Sequence, residues 1–315
     1  MRLVLLLVFV CVAACPLFAG ENILDGELSA HDPSTILQDH GHYWVYATGD
    51  GIKSRHSKDL VAWEAGPAVF TNAPAWTAQA VPGFKRDFWA PDLIRIRNTF
   101  FLYYSVSSWG SQTSAIGLAT NAALNPADPG YHWVDTGIVI QSSSRNDFNA
   151  IDPSVMLDSS GKLWMAFGSY WTGIKLIQLD PSTGHRVGTN APIALAWKEA
   201  IEAACLAEHN GYFYLFVNWG HCCRGVESTY NIRIGRSRNI GGPYLDQDGM
   251  ELLKGGGSLF LDSEGRFIGP GHVGLMETRD GLLFSHHFYD GANRGRRTLG
   301  IRPLAWSASG WPEAR

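Results

Sequence analysis

The chain has 315 residues, 12% of them aromatic, and its 25 Lys and Arg against 29 Asp and Glu give a formal net charge of −4. Without a basic field, nucleic acid is not expected as a partner. The length suits one large all-β domain, and 35 Gly and 12 Trp indicate many tight turns and large aromatic faces.

The first segment, residues 1–19, has the features of a secretory signal. It begins with a positive charge, and the apolar stretch at 3–14 is too short to span a bilayer. Its removal would leave one domain, residues 20–315, that is secreted or periplasmic and has no membrane span. The alternative is a bacterial lipoprotein, because Val12-Ala13-Ala14-Cys15 resembles a lipoprotein cleavage box in which Cys15 carries the lipid.

An internal repeat runs through the rest of the chain. In four places a polar residue is followed nine residues later by Gly and then by an aromatic or apolar run; these polar residues are Asp32, Asp152, Glu202 and His272. A fifth, shorter copy begins at Asp92. The copies recur at about fifty to seventy residues, the spacing of a propeller blade.

Each copy alternates short apolar or aromatic runs with turn residues, which is typical of antiparallel hairpins. A lone small sheet cannot bury both faces, so five such sheets must pack radially. The sequence therefore predicts a single five-bladed β-propeller. The first strand of each blade lines the axis, so the polar residue of each copy is expected near one end of it.

Three of these residues, Asp32, Asp152 and Glu202, are the candidates for catalysis. Two carboxyl groups across a cleft hydrolyse glycosidic bonds, one as an acid and one activating the nucleophile. A third carboxylate nearby would keep the acid protonated by raising its pKa. Asp92 is interpreted as a backbone acceptor and stays outside the catalytic set. A non-catalytic sugar-binding propeller is the rival from another class, but binding alone needs no protonated acid.

Several motifs together resemble glycoside hydrolase family 43, and specifically its endo-1,5-α-L-arabinanases. They are His31-Asp32-Pro33-Ser34, Trp89-Ala90-Pro91-Asp92, residues 110–117, Asn149-Ala150-Ile151-Asp152-Pro153-Ser154, Cys222-Cys223-Arg224-Gly225 and Gly269-Pro270-Gly271-His272. The resemblance implies a five-bladed propeller that hydrolyses arabinan and arabino-oligosaccharides with inversion of anomeric configuration.

The resemblance also implies roles for single residues. Asp32 is the implied general base, Glu202 the implied general acid, and Asp152 is implied to tune the pKa of Glu202 and to orient substrate. The implied substrate-binding residues are Asp32, Trp89, Gly110, Asn149, Ala150, Ile151, Asp152, Ser169, Tyr170 and Trp171. His272 is implied to hold a calcium ion whose other ligands are waters.

Two positions depart from the family pattern. The acid motif of the family usually reads Glu-Ala-Pro, and here Ala204 replaces the Pro; Val273 follows His272 where Asn is common. Neither change removes a catalytic group.

Three thiols remain after the signal: Cys205, Cys222 and Cys223. The adjacent pair could form a vicinal disulfide or stay reduced, and no zinc site is expected, because the sequence has no second Cys or His pair at suitable spacing.

The same family includes exo-acting arabinofuranosidases and xylosidases, which would need a loop closing one end of the cleft. The inverting assignment predicts that the carboxyl groups of Asp32 and Glu202 lie about 6.5–9.5 Å apart, rather than about 5 Å. A monomer is expected.

Overall fold

The computed structural model describes residues 24–279 and 281–315. The predicted signal at 1–19 and the lipoprotein Cys15 lie outside the described residues, so both stay predictions. Within the described part, no helix has the length and apolar character needed to cross a membrane.

The described chain forms five sheets, each four or five strands wide and antiparallel except where β1 joins the first sheet. The first contains β1 (Asp25–Gly26), β2 (Leu37–Asp39), β3 (His42–Ala47), β5 (Lys53–Ser57) and β6 (Ala62–Ala65). The second contains β4 (Gly49–Asp50), β7 (Asp87–Ile96), β8 (Thr99–Val106), β9 (Ser114–Asn121) and β10 (Val134–Ser142).

The remaining three sheets have four strands each. The third contains β11 (Ser154–Leu157), β12 (Leu163–Phe167), β13 (Ile174–Leu179) and β14 (Ile193–Ala196). The fourth contains β15 (Ile201–His209), β16 (Tyr212–Trp219), β17 (Asn231–Ser237) and β18 (Ser258–Leu261). The fifth contains β19 (Phe267–Thr278), β20 (Gly281–Asp290), β21 (Arg296–Trp306) and β22 (Pro312–Ala314).

Among residues 24–279 and 281–315, helical structure is confined to short connections. They are α1 (Trp76–Ala80) and the 3₁₀ segments Gly225–Glu227, Leu252–Lys254 and Gly291–Asn293. The prediction of an all-β five-bladed propeller is therefore confirmed.

Five hydrophobic clusters lie between the blades, one for each neighbouring pair. The aromatic strands explain how one sheet serves two clusters. On β8, Phe100 and Tyr104 pack toward blade 1, whereas Phe101 and Tyr103 pack toward blade 3. Successive strand residues point to opposite faces, so a strand buried on both faces reads as a continuous apolar run.

The ring closes by side-chain packing between the first and fifth blades. Val45 and Trp63 of blade 1 share a buried cluster with Leu299 and Ile301 of blade 5. Within the described residues, blade 5 is completed by its own strand β22, and β1 adds parallel to β6 at the outer edge of blade 1.

Candidate active site

A cavity of about 1070 Å³ lies at one end of the axis, and all five blades contribute to its wall. It holds nine of the ten residues predicted to contact substrate, together with Glu202; these nine are Asp32, Trp89, Gly110, Asn149, Ile151, Asp152, Ser169, Tyr170 and Trp171. The fold thus brings together residues that are up to 170 positions apart in the chain.

Ala150 is the exception. It is fully buried and does not line the cavity, and its N–H donates to Ser142 Oγ at 2.8 Å. Its neighbours Asn149 and Ile151 do line the wall, because consecutive residues of an extended segment point to opposite sides.

The innermost residue of each blade has a left-handed backbone. These residues are Asp32, Ala90, Asp152, Ala203 and His272, with φ between 40 and 58°. A non-glycine residue held in this region costs about 1–3 kcal/mol, so the surrounding contacts must enforce it. The structural repeat therefore corrects the sequence repeat in two blades.

In blade 2 the equivalent position is Ala90 rather than Asp92, and in blade 4 it is Ala203 rather than Glu202. Glu202 instead corresponds to Trp89. Glu202 pairs with Asn218 and Trp89 pairs with Ser105, which are equivalent positions on the second strands of their blades. Glu202 lies one residue before the left-handed position. The spacing of nine residues between Glu202 and Gly211 could not reveal this offset.

The backbone N–H of each left-handed residue donates to a side chain of the preceding blade. In four blades the acceptor stands on or directly after the second strand, and the acceptors are Thr48, Ser105, Asn218 and His287. Blade 3 has Gly168 at this point, with φ +130°. A Cβ added to Gly168 would lie only 2.4 Å from the Gly173 carbonyl oxygen, so a residue with a side chain does not fit there. Asp152 Oδ2 serves instead, accepting from Ala203 N–H at 3.1 Å.

Asp32 is surrounded by imidazoles. His31 Nδ1 lies 2.9 Å from Asp32 Oδ2, and Thr48 Oγ1 donates to the same oxygen at 2.7 Å. His287 Nδ1 and His272 Nδ1 lie 3.6 and 3.8 Å from Oδ1. Burial works to raise the pKa of Asp32, but the charge and hydrogen bond of His31 outweigh it and hold that pKa below its usual range.

The same pairing charges His31. Burial would lower the pKa of this imidazole, yet the neighbouring Asp32 carboxylate outweighs burial and raises the pKa of His31 to about 10. At neutral pH the two side chains therefore form an imidazolium–carboxylate pair.

Glu202 has hydroxyl partners. Ser169 Oγ donates to Glu202 Oε2 at 2.7 Å, and Tyr230 Oη donates to Oε1 at 2.8 Å. Burial raises the pKa of Glu202, and the two hydroxyl groups only partly oppose this rise. The carboxyl group is therefore biased toward its protonated form.

Asp152 is coupled to Glu202. Burial, followed by the charge of Glu202, raises the pKa of Asp152 well above its usual value. The charge of His31 opposes this rise only in part, so together the two carboxyl groups favour holding a proton. The tuning of Glu202 by Asp152 stays a prediction; in the structure the charge of Glu202 contributes to raising the pKa of Asp152.

Asp92 does not line the cavity. Its Oδ1 accepts from Thr35 N–H at 3.1 Å and its Oδ2 from Val155 N–H at 2.8 Å. It therefore ties blade 2 to blades 1 and 3 around the axis.

The surroundings of His272 are a poor match for calcium. The described side chains nearest to it offer the imidazoles of His31 and His287 and the carboxylate of Asp32. Calcium takes six to eight oxygen ligands, and imidazole nitrogen is not among its preferred donors. The side chains do not form a calcium site by themselves, so no catalytic step is derived through such an ion.

Aromatic side chains stand on two sides of the cavity. Trp89 and Trp109 have ring centroids 5.3 Å apart, and the Trp109 ring is 77% exposed. Tyr170 and Trp171 are also exposed, and Tyr170 Oη lies 3.1 Å from His221 Nδ1. Exposed rings on a cavity wall offer stacking faces to sugar rings.

The sequence analysis missed four partners of the carboxyl groups: His31, Thr48, Tyr230 and His287. His31 stands directly before Asp32, and this adjacency was its one available signal. Thr48, Tyr230 and His287 reach the site from second or third strands, and no spacing in the sequence connects them to the carboxylates.

Comparison with known proteins gives a consistent result. The sequence model of glycosyl hydrolases family 43 matches residues 26–312. The chain is 41% identical over 290 residues to extracellular endo-α-(1→5)-L-arabinanase 1 of Bacillus subtilis, covering 90% of this chain and 86% of that protein. It is 38% identical over 304 residues to the extracellular exo-α-(1→5)-L-arabinofuranosidase of Cellvibrio japonicus, covering 91% and 86%.

A solved structure shares the fold. The α-L-arabinanase of Cellvibrio cellulosa, complexed with arabinohexaose, superimposes with a TM-score of 0.87 at 36% identity, covering 91% of this chain and 96% of that one. Its sequence is similar along nearly all of the described chain.

Proposed function

Because the chain belongs to glycosyl hydrolase family 43 and is a glycosidase, we propose that it is an extracellular enzyme that cleaves α-1,5-linked L-arabinan internally, with inversion of anomeric configuration. The proposed polymer is the arabinan of plant cell-wall pectin. The observation that carries this proposal is one cavity in which Asp32 is held charged while Glu202 is biased toward protonation.

Asp32 is the proposed general base. His31 and Thr48 both use its Oδ2, and among the described residues no hydrogen bond is made to Oδ1. The free oxygen can therefore take a proton from a water that attacks the anomeric carbon. The low pKa of Asp32 keeps this acceptor available at neutral pH.

Glu202 is the proposed general acid. In its protonated form it can give its proton to the leaving sugar oxygen, after which Ser169 and Tyr230 stabilise the resulting carboxylate by donating to both oxygens. Asp152 is proposed to orient substrate and, through its charge interaction with Glu202, to favour a proton on this pair of carboxyl groups. An inverting enzyme needs room for the water, so the Asp32–Glu202 carboxyl separation is expected at about 6.5–9.5 Å.

Exo-acting hydrolysis is the second candidate, supported by the likeness to the Cellvibrio exo-α-(1→5)-L-arabinofuranosidase. The exposed Trp109 on one wall and the exposed Trp171 on another favour the endo proposal, because a chain-end pocket would enclose such rings. A non-catalytic sugar-binding propeller is disfavoured by the opposite protonation of Asp32 and Glu202.

The deciding experiment follows viscosity and product length together on debranched arabinan. A fast fall in viscosity with mixed oligosaccharides supports the endo proposal, and release of short products without that fall supports the exo candidate. Glu202→Gln is the control for contaminating activity. Binding of the polymer by folded wild-type protein without any product would overturn hydrolysis. Proton NMR of the first product gives the anomer and tests inversion.

Calcium, export and the monomeric state stay predictions. The two curated relatives compared above are named extracellular, which supports export of this chain. A calcium ion at His272 would need water for most of its ligands. A rise in melting temperature on adding calcium to chelator-treated protein, absent in His272→Gln, would support it. Gel filtration tests the monomer.

A further inference from the structure

Two thiols and an imidazole meet on the wall of the cavity. The ligand atoms of His31, Cys222 and Cys223 all lie within 4.8 Å of one another. Cys222 Sγ lies 2.7 Å from Cys223 Sγ, which in turn lies 3.8 Å from His31 Nε2. The proposed hydrolysis uses neither thiol.

The fold, rather than the sequence, creates this cluster. The cysteines lie in the loop that follows β16, and His31 lies 192 positions before Cys223. Tyr289 Oη joins the two segments, since it accepts from Cys223 N–H at 2.6 Å and lies 3.0 Å from His31 Nε2. The sequence analysis expected no zinc site because it looked for a second pair at close spacing.

We propose that, with both cysteines reduced, this cluster binds one soft divalent cation such as Zn²⁺ through Cys222 Sγ, Cys223 Sγ and His31 Nε2. Two thiolates and an imidazole are a common zinc ligand set, and a water from the cavity can fill the fourth position. Binding displaces the Nε2 proton of the His31 imidazolium and the two thiol protons to solvent, while Nδ1–H stays hydrogen-bonded to Asp32.

The geometry needs a modest adjustment. With Zn–S bonds of about 2.3 Å and tetrahedral angles, the two sulfurs must stand about 3.8 Å apart. They must therefore separate by about 1 Å from their present 2.7 Å. Cys223 is exposed and Cys222 half-buried, so rotation of these side chains meets little packing.

His31 already contacts a carboxylate through one ring nitrogen, as metal-bound histidines commonly do. His31 presents Nδ1 to Asp32 Oδ2 at 2.9 Å, which leaves Nε2 facing the thiols. A carboxylate that accepts from the far nitrogen orients a ligand histidine and increases its basicity. The metal site and the proposed general base therefore share one imidazole.

The consequence is inhibition, and this part rests on the proposed function. A cation at Cys222 and Cys223 would stand on the wall of the cavity proposed to bind arabinan, and it would fix His31 against Asp32. Bound metal should therefore lower hydrolysis without unfolding the protein.

The test begins with binding, which needs no activity. Protein reduced with a phosphine under inert gas is titrated with Zn²⁺ by calorimetry and with Co²⁺ by absorption spectroscopy. We expect one ion per chain and a thiolate-to-cobalt charge-transfer band. Both signals should be lost in Cys222→Ser/Cys223→Ser. Cys205→Ala, which removes a thiol buried elsewhere, is the matched control and should bind normally.

Three results would overturn the proposal: no binding by reduced wild type, unchanged binding by the double variant, or thiols that stay oxidised after phosphine treatment. Activity is then measured with and without Zn²⁺, and each protein is compared with its own metal-free rate. Loss of activity in wild type but not in the double variant supports inhibition through this site. A protein that binds the ion but hydrolyses nothing would contradict the proposed function alone.

Discussion

Asp32 and the Asp152–Glu202 pair share a cavity and are similarly buried, yet their partners differ. Asp32 and Asp152 even have the same left-handed backbone at the same point of the repeat. Imidazoles surround Asp32, whereas Glu202 has only hydroxyl donors and Asp152 accepts from a backbone N–H. Burial acts to raise the pKa of all three carboxyl groups, but the pKa of Asp32 is lowered overall. Asp32 therefore differs from the other two in its contact with the charged imidazole of His31, which holds its pKa low.

This division separates the two proposed chemical roles in space. On the side of the axis formed by blades 5 and 1 the pKa of Asp32 is held low, which favours the carboxylate, whereas on the side formed by blades 3 and 4 the pKa values of Asp152 and Glu202 are raised, which favours their protonated forms. Such opposite protonation is what an acid and a base need in order to act at one pH.

The largest expected effect comes from removing either role. We expect Asp32→Asn and Glu202→Gln each to lower kcat on arabinan by about 10²–10⁴-fold. The two variants should differ on aryl arabino-oligosaccharides with an acidic leaving group, because such a group needs no proton. Glu202→Gln should regain much of its rate on them, and Asp32→Asn should not. If Asp32→Asn regained its rate and Glu202→Gln did not, Asp32 would be the acid and Glu202 the base. Circular dichroism checks the fold of both variants.

The next effect concerns the imidazole side. In His31→Ala, burial acts on Asp32 without the opposing charge, so the pKa of Asp32 rises. The base is then protonated at higher pH, and the acidic limb of kcat/KM should move upward by about 1–3 units. The pH profile of kcat/KM measures this. His286→Phe is the control, since His286 points to the other face of β20 and packs against Phe284. An unmoved acidic limb in His31→Ala would disprove the imidazole's control of Asp32.

A smaller effect is expected on the hydroxyl side. Tyr230 Oη stabilises the Glu202 carboxylate, so Tyr230→Phe should raise the pKa of Glu202 further. The basic limb of the pH profile should move upward by about one unit, because a hydrogen bond to a charged group contributes about 1.5–3 kcal/mol and one pKa unit is 1.36 kcal/mol. Tyr244→Phe removes a buried hydroxyl whose partner is the Ile240 carbonyl, and it should leave the limb in place. A downward move in Tyr230→Phe would contradict the assigned partner.

The smallest effect separates structure from charge at Asp152. Asp152→Asn keeps an oxygen able to accept from Ala203 N–H, whereas Asp152→Ala leaves that buried donor unpaired. The alanine variant should therefore have a free energy of unfolding lower by about 1–3 kcal/mol than the asparagine variant. Urea denaturation of both variants measures the difference. Equal stabilities of the two variants would show that the hydrogen bond from Ala203 N–H to Asp152 does not stabilise the fold, so Asp152 would not take the place of an acceptor at Gly168.

Much of the architecture could be read from the chain because propeller blades are local units. The aromatic runs and turn residues of one blade lie within about sixty residues, so their hairpins and their number follow from short-range pattern. The same local repeat located Asp32, Asp152 and His272, and it came within one residue of the equivalent position in blade 4 and within two residues in blade 2.

Only the structure shows which residue occupies the equivalent left-handed position in blades 2 and 4. Ala90 and Ala203, rather than Asp92 and Glu202, carry the left-handed backbone. Neither alanine has a side-chain signal, because the position is defined by a backbone conformation and by an N–H donated to another blade.

The sequence by itself determined the fold class, the number of blades, and the carboxyl groups placed at the axis, since these depend on period and on residue type. Only the tertiary structure decided which carboxyl group is charged. The pKa of Asp32 is held low first by its neighbour His31 and also by His287, which lies 255 positions away in sequence, and that of Glu202 depends on its burial and on Ser169 and Tyr230. Electrostatic interactions act through space over a few ångströms, and ring closure sets those distances.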